Sequence, residues 1–548
     1  MKYFSVLALS VLLFLLGVTP SLAQDSSIRE RFVGIPVRIP PLPPLLGPQG
    51  FEEHIVDGKL VLSLDVAIRL AMANNTDIRV DQSGIDFAKN NLHRQFQLFD
   101  PVASASFNDQ RVKTQTFSQL QGATILNTLS QTTQFGYKQT FPTGTNFQTS
   151  FSALKSSSNS NFINLNPYLS TSWGFQVTQP LLRNFGIFAN RAPIYIAQRN
   201  LRQSQATFRA EVNDILLTVI VEYWNVVLDR ANLEVQKKSY EEAQKSYEHD
   251  KKALSLGALP PLNIYRSEAE VAARRVTLIQ AEYSLKLAED RFRQIIAADR
   301  NPIINALDLN LTERPEPPET LLEIDIASAL SLALVNRPEL DASTQQLASD
   351  ALRIRLAHNN LRPDLELGGF YSPSGLGGNA YDLNTVPPTL LSRGGLGDSL
   401  GQLFGLKYPT YGASLTLNLP IKNHGGEADL ADAVVSQRTD QYSQARTTQT
   451  ITLEVTNAVH LLEQAKLTLQ AGKISKDLAQ KNLHAEERKY QLGDTTIFFV
   501  LDAQTQLANA EFSLAQAQTS YQTAVASLDH ATGKLLDNHQ VQISPAHK

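Results

Sequence analysis

The chain of 548 residues carries 49 lysines and arginines against 53 aspartates and glutamates, a formal net charge of −4. That balance leaves no footprint for nucleic acid. With no cysteine, the chain offers no disulfide, no thiolate metal site and no N-terminal thiol for a lipid, so any attachment to a membrane has to come from the fold itself.

The opening residues, "MKYFSVLALSVLLFLLGVTPSLAQ", place Lys2 before an apolar run from Phe4 to Val18 and end it on Ser21-Leu22-Ala23. This pattern predicts a secretory signal peptide over residues 1–23, the apolar run being too short to span a bilayer. Residues 24–60 hold "VGIPVRIPPLPPLLGPQG", which reads as a proline-rich strap with no core of its own. No later run predicts a transmembrane helix. "ILLTVIVEYWNVVL" is interrupted by Glu222 and Asn225, and the helical stretches are charged enough to face water. If this chain crosses a membrane, strands must do it.

The chain is written twice, over 61–300 and 323–536, with a linker at 301–322 and a short tail at 537–548. "AIRLAMANNTDI", from Ala67, aligns without gaps to "ALSLALVNRPEL", from Ala329, 262 residues later, and that register holds as far as Pro101 and Pro363. Strand-like sequence follows both prolines. In "STSWGFQVTQPLL" the residues Leu169, Thr171, Trp173, Phe175 and Val177 alternate with small or polar ones. Tyr411, Ala413, Leu415, Leu417, Leu419 and Ile421 do the same in "YGASLTLNLPI". This is the period-two signature of a strand between two solvents. It suits a half-buried sheet or a membrane barrel equally.

The first half carries an extra piece. "TQFGYKQTFPTGTNFQTSFSALK", residues 133–155, reads as two strands around a Pro-Thr-Gly-Thr turn. We expect an external hairpin there, the alternative being two further strands in the barrel. The second half has instead a Gly/Ser/Pro-rich loop, about 372–407, expected on the outer side.

Long helices come next in both halves. Val212, Leu216, Val219, Tyr223, Val226, Arg230, Leu233, Lys237 and Tyr240 step by four and three. Adding 236 gives Val455, Val459, Leu462, Lys466, Leu469 and Lys473. The pairs Leu256-Gly257 and Leu492-Gly493 keep the same spacing and predict the tips of two antiparallel hairpins. Pro260 and Pro261 suit the start of the helix that follows. In the last helix all ten seam positions, from Val500 through Ala503 and Leu507 to Ala531, are apolar. Its first-half counterpart, Ile264 to Ile295, keeps the pattern except at Ser267 and Arg274. Such a repeat specifies a left-handed coiled coil. A run from about Arg191 to Leu256 would be about 100 Å long at 1.5 Å per residue, beyond the needs of a compact enzyme.

Enzyme motifs are missing. The ten histidines lack HExxH or other ligand spacing, and "GGLGDSLG" from Gly394 has no feeding strand or following helix to make a phosphate loop. Neither catalysis nor a cofactor is expected. Two strands per half make four, which cannot close a barrel alone, so subunits must pool them: two copies would give a filled eight-stranded barrel, three a twelve-stranded one with a lumen.

From about Leu60 to about Leu536 the sequence resembles the TolC-type outer-membrane efflux and secretion channel family. The resemblance is carried above all by the closing hairpin, "YQLGDTTIFFVLDAQTQLANAEFSLAQAQTSYQTAVASLDHATG", with weaker support from "TQPLL" after the strand. It implies an α+β fold: a trimeric outer-membrane β-barrel continuous with a long antiparallel coiled-coil α-helical barrel reaching into the periplasm, built from two tandem repeats per subunit. The function implied is the exit duct of a tripartite efflux pump or type I secretion system. The implied partners are two further copies of the chain, outer-membrane lipid, a periplasmic membrane-fusion adaptor and an inner-membrane pump of the RND, ABC or MFS type. Leu256, Gly257, Leu492 and Gly493 would be the tips that meet the adaptor. A passive porin and a periplasmic coiled-coil scaffold are the competing functions, opposed respectively by the long helices and by the alternating strands.

The resemblance also implies a gate. Asp502 falls on the family's inner ring of aspartates, and Phe499 on a second acidic position it cannot fill. Tyr490, Thr495 and Asn263 fall on the latch, where both charged partners are neutral here. The latch would then consist of neutral hydrogen bonds worth about 0.5–1.5 kcal/mol each. Asp502 would give cation preference and divalent block. As a helix-start carboxylate beside the macrodipole it would need no such role.

Overall fold

A computed structural model of the chain describes residues 47–118, 122–256, 261–317, 321–385, 388–492 and 494–541, with the side chains of 261–263 outside that description. The expected signal peptide, most of the strap, both tip glycines Gly257 and Gly493, and the side chain of Asn263 lie outside the described residues.

In chain order, strands β1 (Ile55–Val56) and β2 (Lys59–Leu62) lead into helices α1 (Leu64–Asn74) and α2 (Thr76–Arg94). Four long strands follow: β3 (Val102–Gln115), β4 (Ile125–Thr140), β5 (Asn146–Ser158) and β6 (Leu165–Pro180). Then come α3 (Ile187–Ser255), α4 (Pro261–Ile295) and the short strand β7 (Asp308–Leu311). The second half runs α5 (Ile326–Asn336), α6 (Pro338–Asn360), β8 (Asp364–Asp382), β9 (Thr389–Ser392), α7 (Leu396–Phe404), β10 (Tyr408–Asn418), α8 (His424–Gln491) and α9 (Ile497–Ala531).

The duplication is visible in the element bounds. Helices α1 and α5 are both of 11 residues and begin 262 positions apart, each opened by a capping side chain: Ser63 accepts from Val66, and Asp325 from Ala327 and Ser328. Helices α4 and α9 both have 35 residues and start 236 apart. The arms α3 and α8, of 69 and 68 residues, are each about 100 Å long at the standard rise.

Why these helices pack follows from the seams. Val212, Val219, Tyr223 and Val226 are fully buried, as is Val455, and Val459 and Leu462 are nearly so. Nine of the ten α9 seam positions are buried, Leu514 being half-buried. Helix α3 packs on both α4 and α9, and α9 packs on α8, so α4 and α8 form the two flanks of a helical layer. The α3 seam does not continue as its first steps suggest. Lys237 is exposed and Tyr240 half-buried, whereas Ser239, Ala243 and Asp250 are buried. The buried stripe moves because the lower arm faces its hairpin mate α4 instead of the equatorial core.

That core gathers around a small sheet that the sequence did not suggest. Strand β7, from the linker, lies parallel to β2 at the end of the strap, and β1 completes the order β1-β2-β7. Alternation puts Leu60, Leu62, Leu309 and Leu311 on one buried face. Two side chains of α3 fasten it: the Tyr223 hydroxyl donates to the Leu62 carbonyl at 3.2 Å, and Arg230 donates to the Leu309 carbonyl at 2.8 Å. The strap therefore ends, and the linker passes, as structured elements against the middle of the arm.

The large sheet has the order β10-β8-β6-β5-β4-β3, with β9 on the outer part of β8. Two expectations are overturned here. The 133–155 segment is not an external hairpin: β4 and β5 pair along their full lengths with each other and with β3 and β6. Its turn sits at the helical end of the sheet, where a Cβ on Gly144 would strike Asn184 and Asn190 at the entry to α3. Serine, threonine and glutamine on one face make β4 and β5 read as solvated, although that is the composition of one wall of a two-sided sheet. The 372–407 segment is also more than a loop. β8 continues through its glycines to Asp382, and a strand, β9, and a helix, α7, flank Gly394 and Gly395, contrary to the reading of "GGLGDSLG" as lacking both.

Candidate channel wall and helical tips

The wall begins with parity. Every pairing register joins odd to odd and even to even across the six long strands, apart from an irregularity at Leu165 in β6. One face therefore collects odd residues from every strand. That face is apolar: Tyr137, Phe151, Trp173, Tyr371, Tyr411 and Leu415 stand on it. The other face carries Gln134, Ser152, Gln176, Glu366, Ser414 and Thr416. Aromatic residues line up in rows across the apolar face. Phe135 lies opposite Phe151, and Phe151 opposite Trp173. One step nearer the helices, Phe175 lies opposite Tyr371, and Tyr371 opposite Tyr411. The Phe135 and Phe151 rings stack at 6.4 Å, and the Trp173 indole donates to the Thr149 hydroxyl at 2.9 Å. Such belts suit an apolar wall meeting a polar boundary.

The sheet is open. β10 and β3 each pair on one side only, and every residue of β3 is exposed. The flanking helices are also uncovered: Tyr283 and Leu287 on α4 are each 61% exposed, and Leu467 on α8 is 68% exposed. Both layers thus present unfinished edges on the same two sides. No helix among the described residues is long and apolar enough to cross a membrane, which says nothing of strands.

At the far end, the two hairpins meet through a polar cluster. The Tyr490 hydroxyl, at the end of α8, donates to Asp250 on α3 at 3.3 Å. Asp250 is fully buried and accepts a second, short bond from the Ser267 hydroxyl of α4. The His249 ring contacts the Tyr490 ring edge-on at 6.0 Å. Burial of the Tyr490 hydroxyl, reinforced by the Asp250 charge, raises its pKa and keeps it a donor. One layer up, Arg274 reaches Glu270 at 2.7 Å, Ser239 at 2.5 Å and Thr505 on α9. Of the two departures from the α4 seam, Ser267 therefore binds Asp250 within its own hairpin, beneath the Tyr490 contact, and Arg274 reaches across to the second hairpin at Thr505.

The sequence-derived gate residues separate in this light. Tyr490 has a carboxylate partner, so its bond is charge-assisted rather than neutral, and the partner comes from the arm before the tip. Asp250 was missed because the family resemblance directs attention to Asn263. The signal for it was its phase, seven residues after buried Ala243. Asp502 is exposed and accepts a bond from Gln506 at 2.7 Å, one helical turn on. Phe499 is 51% exposed and packs edge-on against Phe498, whose ring lies 5.0 Å from the Arg266 guanidinium. Thr495 is half-buried. Leu256 and Leu492 are 83% and 78% exposed at the two tips. No group of three or more potential metal ligands occurs among the described residues.

Comparison with known proteins agrees with this geometry. The outer membrane efflux protein family model matches residues 146–298 and 329–534. Nodulation protein T of Rhizobium leguminosarum bv. trifolii is 22% identical over 67% of this chain and 70% of its own. Outer membrane protein TolC of Vibrio cholerae serotype O1 is 22% identical over 64% of this chain and 74% of its own. The crystal structure of the Campylobacter jejuni CmeC outer membrane channel superposes with a TM-score of 0.61 at 16% identity, covering 86% of each chain.

Proposed function

Because this chain belongs to the outer membrane efflux protein family, we propose that it is the exit duct of a tripartite efflux pump or type I secretion system, acting as a homotrimer. The observation that carries the reading is the open sheet with one apolar and one polar face, joined without a break to arms of 69 and 68 residues. Neither edge of that sheet can stay unpaired in lipid, since an unsatisfied backbone group there costs several kcal/mol. In a closed ring, β10 of one copy pairs with β3 of the next, and α8 of one copy lies beside α4 of the next. Six long strands per copy make eighteen around a trimer, not the twelve that four strands per copy would give. The apolar face then meets outer-membrane lipid and the polar face lines the lumen.

The arms extend into the periplasm, and their tips, where Leu256 and Leu492 are exposed, dock an adaptor protein that links the duct to an inner-membrane pump. Asp502 of the three copies forms a ring that favours cations at the narrow end. The Tyr490–Asp250 bond holds the two hairpins of each copy together in the closed state. The length of the arms and the exposed tips favour this reading over a passive porin.

Crosslinking in isolated outer membranes tests the assembly, with a trimer expected. Single-channel recording in planar bilayers tests the gate: low conductance with cation preference for the parent, and loss of that preference in Asp502→Asn. A soluble monomer that passes no ions refutes the duct. Unchanged selectivity in the variant removes only the Asp502 ring.

A further inference from the structure

The second half of the chain places a nine-residue helix, α7, where the sequence shows only a glycine-rich loop. It does not stand clear of the sheet. The Ser399 hydroxyl, fully buried, lies 2.7 Å from the Thr171 hydroxyl of β6 and donates to the Gly375 carbonyl of β8 at 2.9 Å. Leu403 is 1% exposed beneath the helix, and the Phe404 ring meets Trp173 edge-on at 6.2 Å. Two glycines make this approach possible. A Cβ on Gly375 would lie 1.9 Å from the Ser399 carbonyl oxygen, and one on Gly377 would lie 2.2 Å from that of Gly395.

Thr171, Trp173, Gly375 and Gly377 are all odd-numbered and share the apolar face, so α7 lies on the outer wall and not in the polar interior. Its C-terminal end reaches the aromatic rows, Phe404 resting on Trp173. Pro373, one register step from Gly375, is nine residues along β8 from Asp364, about 23 Å for a strand tilted near 40°. That is close to the full height of a barrel's apolar band. The helix therefore sits at the level of the outer boundary.

Its charges fit that level. The single acid within α7, Asp398, is occupied in capping the Gly395 N–H at 2.7 Å. Arg393 and Lys407 bracket the helix, both exposed and neither in an ion pair among the described residues. Phe404 and Leu406, at the end of the helix, are nevertheless 63% and 53% exposed.

We infer that α7 is an in-plane interfacial helix, seated between the barrel wall and the outer leaflet, where it takes phosphorylated lipid as its partner. The acyl chains cover Phe404 and Leu406, and the phosphates meet Arg393 and Lys407. This rests on the barrel reading above, in which the apolar face meets lipid.

The chain's lack of cysteine makes the test direct. Single cysteines at Gly401, Val177 and Gln176 are labelled with bimane in the full-length protein, in vesicles of phosphatidylethanolamine and phosphatidylglycerol brominated on the acyl chains. Gly401 points into open space, so its label leaves the packing intact. Val177 and Gln176 are adjacent on β6 and report the apolar and polar faces. The Gly401 label is expected to be quenched by brominated lipid within about two-fold of the Val177 label and shielded from aqueous iodide, unlike that at Gln176. Lipid quenching at Val177 with iodide quenching at Gly401 overturns the inference and makes α7 an aqueous cap. Iodide quenching at both Val177 and Gly401 means that the barrel reading itself has failed. Replacing Arg393 and Lys407 together by glutamine is expected to lower lipid quenching at Gly401 about two-fold, and no change would overturn the phosphate contact.

Discussion

The two halves of the chain agree in their helices and disagree in their strands. The arms and the helices after the tips keep a spacing of 236 residues almost to the residue, with lengths equal to within one residue and the same buried phase from Val219 to Val226 and from Val455 to Leu462. Between the short helices and the arms, the first half inserts the hairpin β4–β5 into the sheet, while the second half inserts β9 and lays α7 upon it. The difference follows from what each part must match. A helical seam packs against its neighbours at every turn, so one inserted residue rotates everything beyond it by about 100°. A sheet accepts a whole hairpin, because each new pair of strands leaves an edge of the same kind as before.

The largest test of this contrast is in the seam. Val219 and Val455 are repeat mates and both are fully buried. Val219→Asp and Val455→Asp each bury an unpaired charge and should cost about 4 kcal/mol or more. Assembled protein should be lost from the membrane fraction to the same extent for both. A large difference between them would mean that the halves are not equivalent in packing.

A smaller effect separates the tips. Asp250 and Glu486 are also repeat mates. The first is fully buried between Ser267 and Tyr490, whereas Glu486 pairs with the exposed Lys489 at 2.6 Å. Asp250→Ala leaves two hydroxyls without their acceptor and should cost about 1–3 kcal/mol at the tip. It should raise tryptic nicking at Lys251 and Lys252 and lengthen open times in bilayers. Glu486→Gln should change stability by less than about 1 kcal/mol and leave gating unchanged.

Within the second-half insertion, the same small residue should behave in opposite ways. Gly375→Ala drives a methyl into the Ser399 backbone and should free α7, at a cost of about 1–3 kcal/mol, read as faster proteolysis of residues 383–407. Gly401→Ala meets open space and should strengthen the helix by about 0.5–1 kcal/mol.

The mildest expectation concerns pH. Asp350, on α6, is buried, and desolvation together with the nearby Asp440 of α8 pushes its carboxyl up to about 6. A raised carboxyl pKa means that the folded chain holds more protons between pH about 4 and about 6, so this group's contribution to stability falls as pH rises through that window. Asp350→Asn should therefore be more stable than the parent near neutral pH, by about 1–2 kcal/mol, with the advantage vanishing by about pH 4 in thermal melts.

The helices were legible because apolar residues recur at every third or fourth position for dozens of residues, and the tips because Leu-Gly interrupts both runs at one spacing. The strands β6 and β10 were legible through alternation. β4 and β5 were recognised as strands and misplaced, since alternation records what each face touches and not which neighbours a strand pairs with. Helix α7 was hidden because Gly397, Gly401 and Gly405 give no helical propensity to read. The closeness that Gly375 and Gly377 permit exists only once β8 is folded. The Tyr490–Asp250 hydrogen bond was not legible as a pair: Tyr490 was singled out by resemblance, while Asp250 becomes its partner only when the buried stripe of α3 is followed past Val226.

The exposed margin of β3 has a last consequence, for biogenesis. Fourteen residues of strand on one side of the sheet and eleven on the other lack a neighbour within the chain. If the chain forms the ring proposed above, a lone copy entering a bilayer would carry two seams of unsatisfied amides, and insertion and association would occur together. The yield of functional protein should then climb more steeply than the rate of synthesis. Truncated copies that retain the sheet but lack the arms should poison assembly by capping a growing ring.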